Sequence, residues 1–469
     1  MAEPIPGRRL HFIAIGGAGM SGLALVCRQL GAEVSGSDRA ESSYVDRLRA
    51  AGIDPHLGHD AGQVPPGADV VVSTAVPEDN PELARARERG QRVIHRGELL
   101  AELCSQRRLL AIAGTHGKTT TAAMCIWALR ETGADPAFFL GGELPGSGAD
   151  GAPTNAGWGD GEWVVAEADE SDASFLKLRP EVAVITNLEL DHHSRWGSLA
   201  ELSEAFAAFA APASGLITGA DVRLPGQEAQ RVLRFALEPA AGQPPQDAEL
   251  LATDIAVAAE GGGTRFRARG GEIDTEVSLR VPGRHNVANA LAALGGLSLA
   301  SADVDGCARA LAGFPGVARR FELKGEAGGA RIYDDYAHHP TEVAATLEAA
   351  RDLGPRRLLV AFQPHLYSRT KALATEFGAA LAAADEIAVL DVYPAREEPV
   401  GELEGVSGMM VASAAADHGH GRRVWWLPTA DLAARALRPR LGEGDVLITI
   451  GAGDVYTLAE SLVNGGEPE

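Results

Sequence analysis

The stretch RLLAIAGTHGKTTTAAMCIWALRETG, Arg108 to Gly133, decides the fold. It opens with an apolar run of strand length, breaks at Gly114 and Gly117, and continues as a long helix that stops at Gly133. Strand, glycine turn and helix in that order build a parallel α/β sheet. The turn also carries chemistry. Backbone amides at a glycine-rich turn and at a helix N-terminus form an anion cradle, Lys118 adds a mobile positive charge, and the Thr119 hydroxyl can bind a magnesium ion that arrives with a nucleotide. The usual spacing GxxxxGK[ST] is not met, because Ile112 lies five residues before Gly117 and the nearest glycine is Gly114.

Upstream, the same alternation of apolar run, turn and amphipathic helix begins at Leu10: LHFIAIGGAG opens onto SGLALVCRQLGA, then AEVSGSD, then a polar helix from Tyr44 to Ala51. DVVVSTAV, Asp69 to Val76, is a further buried strand, punctuated by Pro77, Asn80 and Pro81, and a first domain covers residues 1–107. Gly17, Gly19 and Gly22 form GxGxxG after a strand, with Asp38 after the next one, which is a dinucleotide fingerprint and points to an NAD-dependent oxidoreductase. The same loop geometry holds the diphosphate of any nucleotide placed at a helix N-terminus, so both readings stay open here.

Downstream, strands EWVVAEAD and VAVITNLE follow a Gly/Pro/Ala-rich loop from Leu144 to Gly161. Each runs into an acidic cluster, EADESD (Glu167 to Asp172) and NLELDHH (Asn187 to His193), at the strand end where open α/β sheets place ligands. Carboxylates and an imidazole there suit magnesium held chiefly through substrate phosphates. Residues 220–280 read as a small antiparallel insert around the hairpin GGGTRFRARGGE. GRHNVANA then starts a helix, where His285, Asn286 and Asn289 can meet a base edge or cap the helix. The second domain covers residues 108–316. GFPGVARRFE, with Arg319 and Arg320, leads into a third α/β domain, 317–469, with strands ARIYDDYA, RRLLVAF, EIAVLDVY and DVLITIGAGD. DDYAHHPTE and FQPHLYSRT crowd functional groups into the loops after two of these strands, where sites usually lie.

Bulk properties agree. A chain of 469 residues supports three domains at roughly 150 residues each. A net charge of -22 argues against sequence-independent binding to nucleic acid or anionic lipid, so any phosphate site must be local. The four cysteines, Cys27, Cys104, Cys125 and Cys307, include no CxxC pair, and neither a disulfide framework nor a zinc site is expected. No segment approaches the ~18 apolar residues of a membrane span and no secretion signal opens the chain, so no membrane insertion and a cytoplasmic location are expected.

Taken in order, IGGAGMSG, GTHGKTTT, EADESDASF, TNLELDHH, GRHNVANALAA, ARRFE, DDYAHHPTE, FQPHLYSRT, DVYPAREEP and GAGD closely resemble the Mur ligase family over nearly the whole chain. The resemblance implies three domains: a Rossmann-like one for a UDP-sugar, a central P-loop-type ATPase with a small β insert, and a Rossmann-like one on the amino-acid side. It implies ATP and Mg2+ as cofactors. UDP-N-acetylmuramate and L-alanine are the implied partners, joined through an acyl phosphate by a monomer or homodimer. The ligase that recycles murein tripeptide shares part of the pattern and is the nearest alternative.

Position by position, the resemblance assigns Gly114, Thr115, His116, Gly117, Lys118, Thr119 and Thr120 to the ATP phosphates, and His285, Asn289, Arg320 and Asp335 to the rest of the nucleotide. Thr119, Glu167 and His192 are the implied metal ligands. Lys118, Glu167, His192 and Arg320 carry the catalysis. Gly17, Ala18, Gly19, Met20, Ser37, Asp38, Ser73 and Thr74 are placed on the UDP-sugar, and Tyr336, His338, His365 and Arg369 on the amino-acid side. Two positions depart from the pattern: Leu366 stands where some relatives have arginine, and His193 where methionine or leucine is common. The chain has no lysine between Lys177 and Lys324, which sets it apart from branches that use a carbamylated lysine there.

Overall fold

Short runs of valine, isoleucine, leucine and alanine, buried on both faces, form the strands of three sheets in the computed structural model, which describes residues 4–148, 151–191, 195–226, 232–238, 248–258, 262–395 and 397–465. The first sheet is wholly parallel, in the order His56–Leu57, Glu33–Asp38, Arg9–Ile13, Asp69–Val72, Val93–His95. Strand order reverses between Arg9–Ile13 and Asp69–Val72. Loops after these two strands diverge and leave a crevice at the carboxyl edge, the usual ligand position in such sheets.

The second sheet has the order Ile273–Leu279, Thr264–Gly270, Leu250–Val257, Val232–Leu237, Gly215–Gly219, Val182–Ile185, Arg108–Ala113, Trp163–Glu167, Ala137–Leu144, Thr154–Gly157. Arg108–Ala113 lies between Val182–Ile185 and Trp163–Glu167, parallel to both, so the phosphate loop and the two acidic clusters emerge side by side. Two features differ from expectation. The stretch expected as a loop from Leu144 to Gly161 contains Thr154–Gly157, which pairs antiparallel with the unforeseen strand Ala137–Leu144. In the expected antiparallel insert, Val232–Leu237 and Leu250–Val257 instead run parallel to Gly215–Gly219 and to each other, extending the central sheet.

The third sheet is ordered Glu322–Ala327, Ala330–Asp335, Val446–Ile450, Leu358–Phe362, Glu386–Val389, Arg423–Trp426, parallel apart from its first pair. All four strands expected there are present. The two edge strands were not foreseen, because their polar residues blur the apolar signal.

The chain packs as two compact units. One comprises Met1–Asp254, Phe266–Val277 and Ala288–Phe314, and the other Ile255–Arg265, Ser278–Val287 and Pro315–Glu469. Within the first unit one apolar core runs through the first two sheets, joining Phe12, Leu23 and Leu99 to Leu109, Ala111 and Phe175, and a smaller one in the first sheet gathers Ile13, Val70 and Leu83. Within the second, cores on the two faces of the third sheet are centred on Val360 and Phe362 and on Leu359 and Leu447. No described helix is long and apolar enough to cross a membrane.

Candidate functional site

Helix Lys118–Glu131 has Gly117 as its N-cap, at φ 79°, with no side-chain cap. Gly114 and Gly117 both adopt the positive φ that glycine tolerates, and a Cβ at either would collide, with the Thr186 hydroxyl and the Asn289 amide respectively. The turn is stitched to the end of strand Val182–Ile185: His116 N donates to Asn187 Oδ1 at 2.8 Å, and Thr115 Oγ1 to the Glu189 carbonyl at 2.9 Å. The His116 ring lies 3.2 Å from a Glu189 carboxylate oxygen. Thr120 is buried in the first helical turn. The Thr115 and His116 amides are used to hold the loop, and those of the first helical turn can meet an anion.

Lys118 Nζ donates to the carbonyls of Gly114 (2.6 Å) and Thr115 (2.9 Å) and pairs with Glu170 at 3.0 Å. Burial works against its charge, but Glu170, Asp169 and Glu167 outweigh that and hold it above the ordinary lysine value. Glu170 is 1% exposed, and burial pushes its carboxyl up to about 7 despite Lys118. Sequence inspection placed Glu170 only within its acidic cluster. Its pairing with a lysine 52 positions away leaves no local trace.

Thr119 Oγ1 donates to Glu167 Oε1 at 3.0 Å, and the other Glu167 oxygen accepts from Gly141 N at 2.7 Å. Two adjacent ligands of an octahedral magnesium ion, each at about 2.1 Å, are separated by about 3.0 Å, so these hard oxygens already stand at a suitable spacing. His192 and His193 lie outside the described residues. Asn289 faces the same loop, with Thr121 Oγ1 3.4 Å from its Oδ1.

In the second unit, the four residues expected on the amino-acid side come together. Tyr336 and His338 meet edge to face at 5.5 Å between ring centroids, His338 and His365 at 6.2 Å, and Arg369 Nη1 lies 3.4 Å from His365 Nδ1. Tyr393, not singled out beforehand, stacks on His365 at 5.8 Å. Leu366, at φ 70° before helix Tyr367–Leu381, donates its N–H to the Tyr393 carbonyl at 3.0 Å. Arg320 and Arg319 both lie over the Tyr336 ring, at 5.1 and 5.0 Å, and Arg319 is in addition held by Asp334 at 3.0 Å. Asp335 accepts backbone N–H bonds from Phe321 (2.8 Å) and Ala337 (2.7 Å), and burial raises its carboxyl to about 6. His285 is pushed down to about 4, first by burial, with Glu342 opposing and Arg320 assisting.

At the crevice of the first sheet lies a cavity of about 530 Å³ lined by Gly16, Gly17, Asp38, Arg39, His59 and Val76 among others. Asp38 accepts from Gly16 N at 2.8 Å and so ties the second strand to the glycine loop. The neighbouring expected residues differ in placement. Ser37 is fully buried, donates to Glu82 at 2.8 Å and lies 2.9 Å from the ring of His59, which lines the cavity. Met20 is buried, the Ala18 carbonyl accepts from Asn155 at 2.5 Å, Gly19 lies against Arg96, Ser73 Oγ accepts weakly from Ala75 N, and Thr74 is exposed.

Three family models match in succession: "Mur ligase family, catalytic domain" over residues 9–108, "Mur ligase middle domain" over 112–297, and "Mur ligase, glutamate ligase domain" over 319–453. The UDP-N-acetylmuramate–L-alanine ligase of Renibacterium salmoninarum is 45% identical over 464 residues, spanning 97% of this chain and 95% of its own. That of Kineococcus radiotolerans is 46% identical over 472 residues, spanning 97% and 96%. Among solved structures, UDP-N-acetylmuramate–alanine ligase from Thermotoga maritima matches with a TM-score of 0.82 at 28% identity, over 97% of this chain and 98% of the other. A murein peptide ligase from Psychrobacter arcticus shares the fold, with a TM-score of 0.70 at 24% identity over 98% of both chains. With a glycine-turn phosphate loop and end-to-end similarity of this kind, the chain belongs to the Mur ligase family.

Proposed function

We propose that the chain is an ATP-dependent ligase that forms the amide between L-alanine and the lactyl carboxylate of UDP-N-acetylmuramate, releasing ADP and phosphate. The observation that carries this reading is the end-to-end similarity to ligases of that name, at 45% identity over 97% of the chain, with the loop lysine, threonine and Glu167 all in place. A carboxylate is a poor acyl donor because oxide leaves badly. Attack of a carboxylate oxygen on the γ-phosphorus, with departure of ADP, gives an acyl phosphate. The alanine nitrogen then adds to the acyl carbon, loses a proton, and phosphate leaves.

Each step brings anions together, so its cost is electrostatic. Lys118 supplies positive charge at the transferring phosphoryl group, and the backbone amides at the start of helix Lys118–Glu131 hold the phosphates, with Gly114, Thr115 and His116 shaping the loop around them. Thr119 and Glu167 would hold Mg2+, with His192 as a third ligand; the ion supplies charge neutralisation between phosphate oxygens. Arg320, Asp335, His285 and Asn289 are assigned to the nucleotide. Tyr336, His338, His365 and Arg369 form the alanine side, and Gly17 to Met20 with Asp38, Ser73 and Thr74 the UDP-sugar side. Ser37, turned into the core, would act there through Glu82 and His59. Domain limits at 1–107, 108–316 and 317–469 follow the same division of labour, and a cytoplasmic monomer or homodimer suits the substrates.

Phosphate release should require ATP, magnesium, UDP-N-acetylmuramate and an amine together, with L-alanine strongly preferred over L-serine, glycine and murein tripeptide. Hydrolysis that runs equally fast without UDP-N-acetylmuramate overturns the ligase reading. A preference for the tripeptide moves the chain to the recycling branch.

A further inference from the structure

Helix Arg96–Cys104 begins with a cation, although the N-terminal end of a helix dipole favours anions. The Arg96 position is therefore not explained by helix stability. Its Nη2 donates to Asp172 Oδ2 at 2.8 Å and lies 3.7 Å from Asp169, both in the acidic cluster that also carries Glu167 and Glu170. Its Nη1 points elsewhere, to within 3.1 Å of where a Cβ on Gly19 would stand, against the glycine loop that starts helix Ala18–Gln29. The guanidinium is mostly enclosed, with 23% of the side chain exposed. Its base is fixed too. Gly97 is pressed against Ser174 with no room for a Cβ, and Asp172 Oδ1 accepts from Ser174 N at 2.9 Å.

One planar group thus has one arm on the first turn of helix Ala18–Gln29, just after the glycine loop of the first sheet, and the other on the acidic loop of the second. All of these residues belong to one compact unit. A guanidinium suits this use because its donors form a rigid fork that can hold an anion on one edge while keeping a carboxylate on the other. The glycine loop itself offers only amides and a helix end, which recognise a diphosphate without fully balancing its charge.

We propose that Arg96 is a binding residue for the diphosphate of the UDP-sugar: Nη1 takes a phosphate oxygen at Gly19 while Nη2 retains Asp172, so that occupation of the sugar-nucleotide site steadies the acidic loop of the phosphoryl-transfer site. This rests on the reading that the glycine loop holds a diphosphate. Asp172 is then a positioning residue, which directs Arg96 and does not itself meet the ligand.

The test is calorimetric binding of UDP-N-acetylmuramate and of uridine to the full chain without ATP, for wild type, Arg96→Ala and Asp172→Asn. Arg96→Ala should bind the UDP-sugar about ten- to a hundredfold more weakly, the loss of one charge-assisted contact, and uridine as before. Asp172→Asn should weaken the UDP-sugar measurably less than Arg96→Ala does, because the guanidinium loses its positioning partner but is still there to meet the phosphate, and it should leave uridine as before. An ion pair that serves structure alone would make both variants weaken alike, and that result overturns the proposal, as does wild-type affinity in Arg96→Ala. If Arg96→Ala does not fold, Arg96→Lys keeps the charge but loses the fork, and should weaken the UDP-sugar selectively. A wild-type protein that binds NAD in place of the UDP-sugar overturns the diphosphate reading itself, and this proposal with it.

Discussion

Lys118 Nζ lies 3.0 Å from Glu170 Oε2 and 2.6 Å from the Gly114 carbonyl, so the phosphate-loop lysine is held within its own loop by a buried carboxylate. Without nucleotide the charge is neutralised locally. A phosphate entering the loop must compete with Glu170 for it.

Lys118→Ala should lower turnover by about two to three orders of magnitude, since it removes a preorganised charge from the transferring phosphoryl group. It should also lower thermal stability, because removing one partner of a buried pair leaves the other uncompensated. Adding Glu170→Gln to Lys118→Ala should recover the melting temperature and none of the turnover. If the double variant melts no higher than the single one, the pair does not couple as described.

The 3.0 Å spacing of Thr119 Oγ1 and Glu167 Oε1 makes a prediction about magnesium. Glu167→Ala should need about tenfold or more additional Mg2+ for half-maximal phosphate release, because a hard oxygen ligand is lost. Its far-ultraviolet circular dichroism should match wild type. An unchanged magnesium titration at an unchanged rate removes Glu167 from the metal site.

His285, pushed down to about 4 by burial, should make the fold acid-sensitive in a defined window. A histidine with a lowered pKa takes up its proton more readily in the unfolded chain than in the folded one. Its contribution is therefore complete above about 6.5 and falls as pH drops through 6.5 towards 4, by at most about 3 kcal/mol. Urea unfolding at pH 7.5 and pH 5 should show a smaller acid loss for His285→Gln than for wild type. Equal losses in the two proteins would show that His285 is not held neutral.

The candidate site was legible in sequence where its geometry is local. GTHGKTTT needs only neighbouring backbone to make an anion cradle, so Gly114, Gly117, Lys118 and Thr119 could be named from spacing and from the strand and helix around them. The parallel sheets were equally visible, because strands buried on both faces are continuous apolar runs. Where that signal was weak it failed: Thr154–Gly157 lies in a Gly/Ala-rich stretch, and the edge strands Glu322–Ala327 and Arg423–Trp426 are half polar.

Contacts between distant segments could be decided only by tertiary structure. Glu170 on Lys118, Tyr393 on His365 and Arg96 between Gly19 and Asp172 each depend on which strands lie side by side. Ser37 illustrates the same dependence: the resemblance placed it on the UDP-sugar, and only the packing shows its buried hydroxyl between Glu82 and His59. The chain's order supplies the groups and their local conformation, because hydrogen bonding and periodicity act over a few residues. Their pairing and electrostatic environment arise only when sheet order brings remote segments within a few ångströms and removes the water between them.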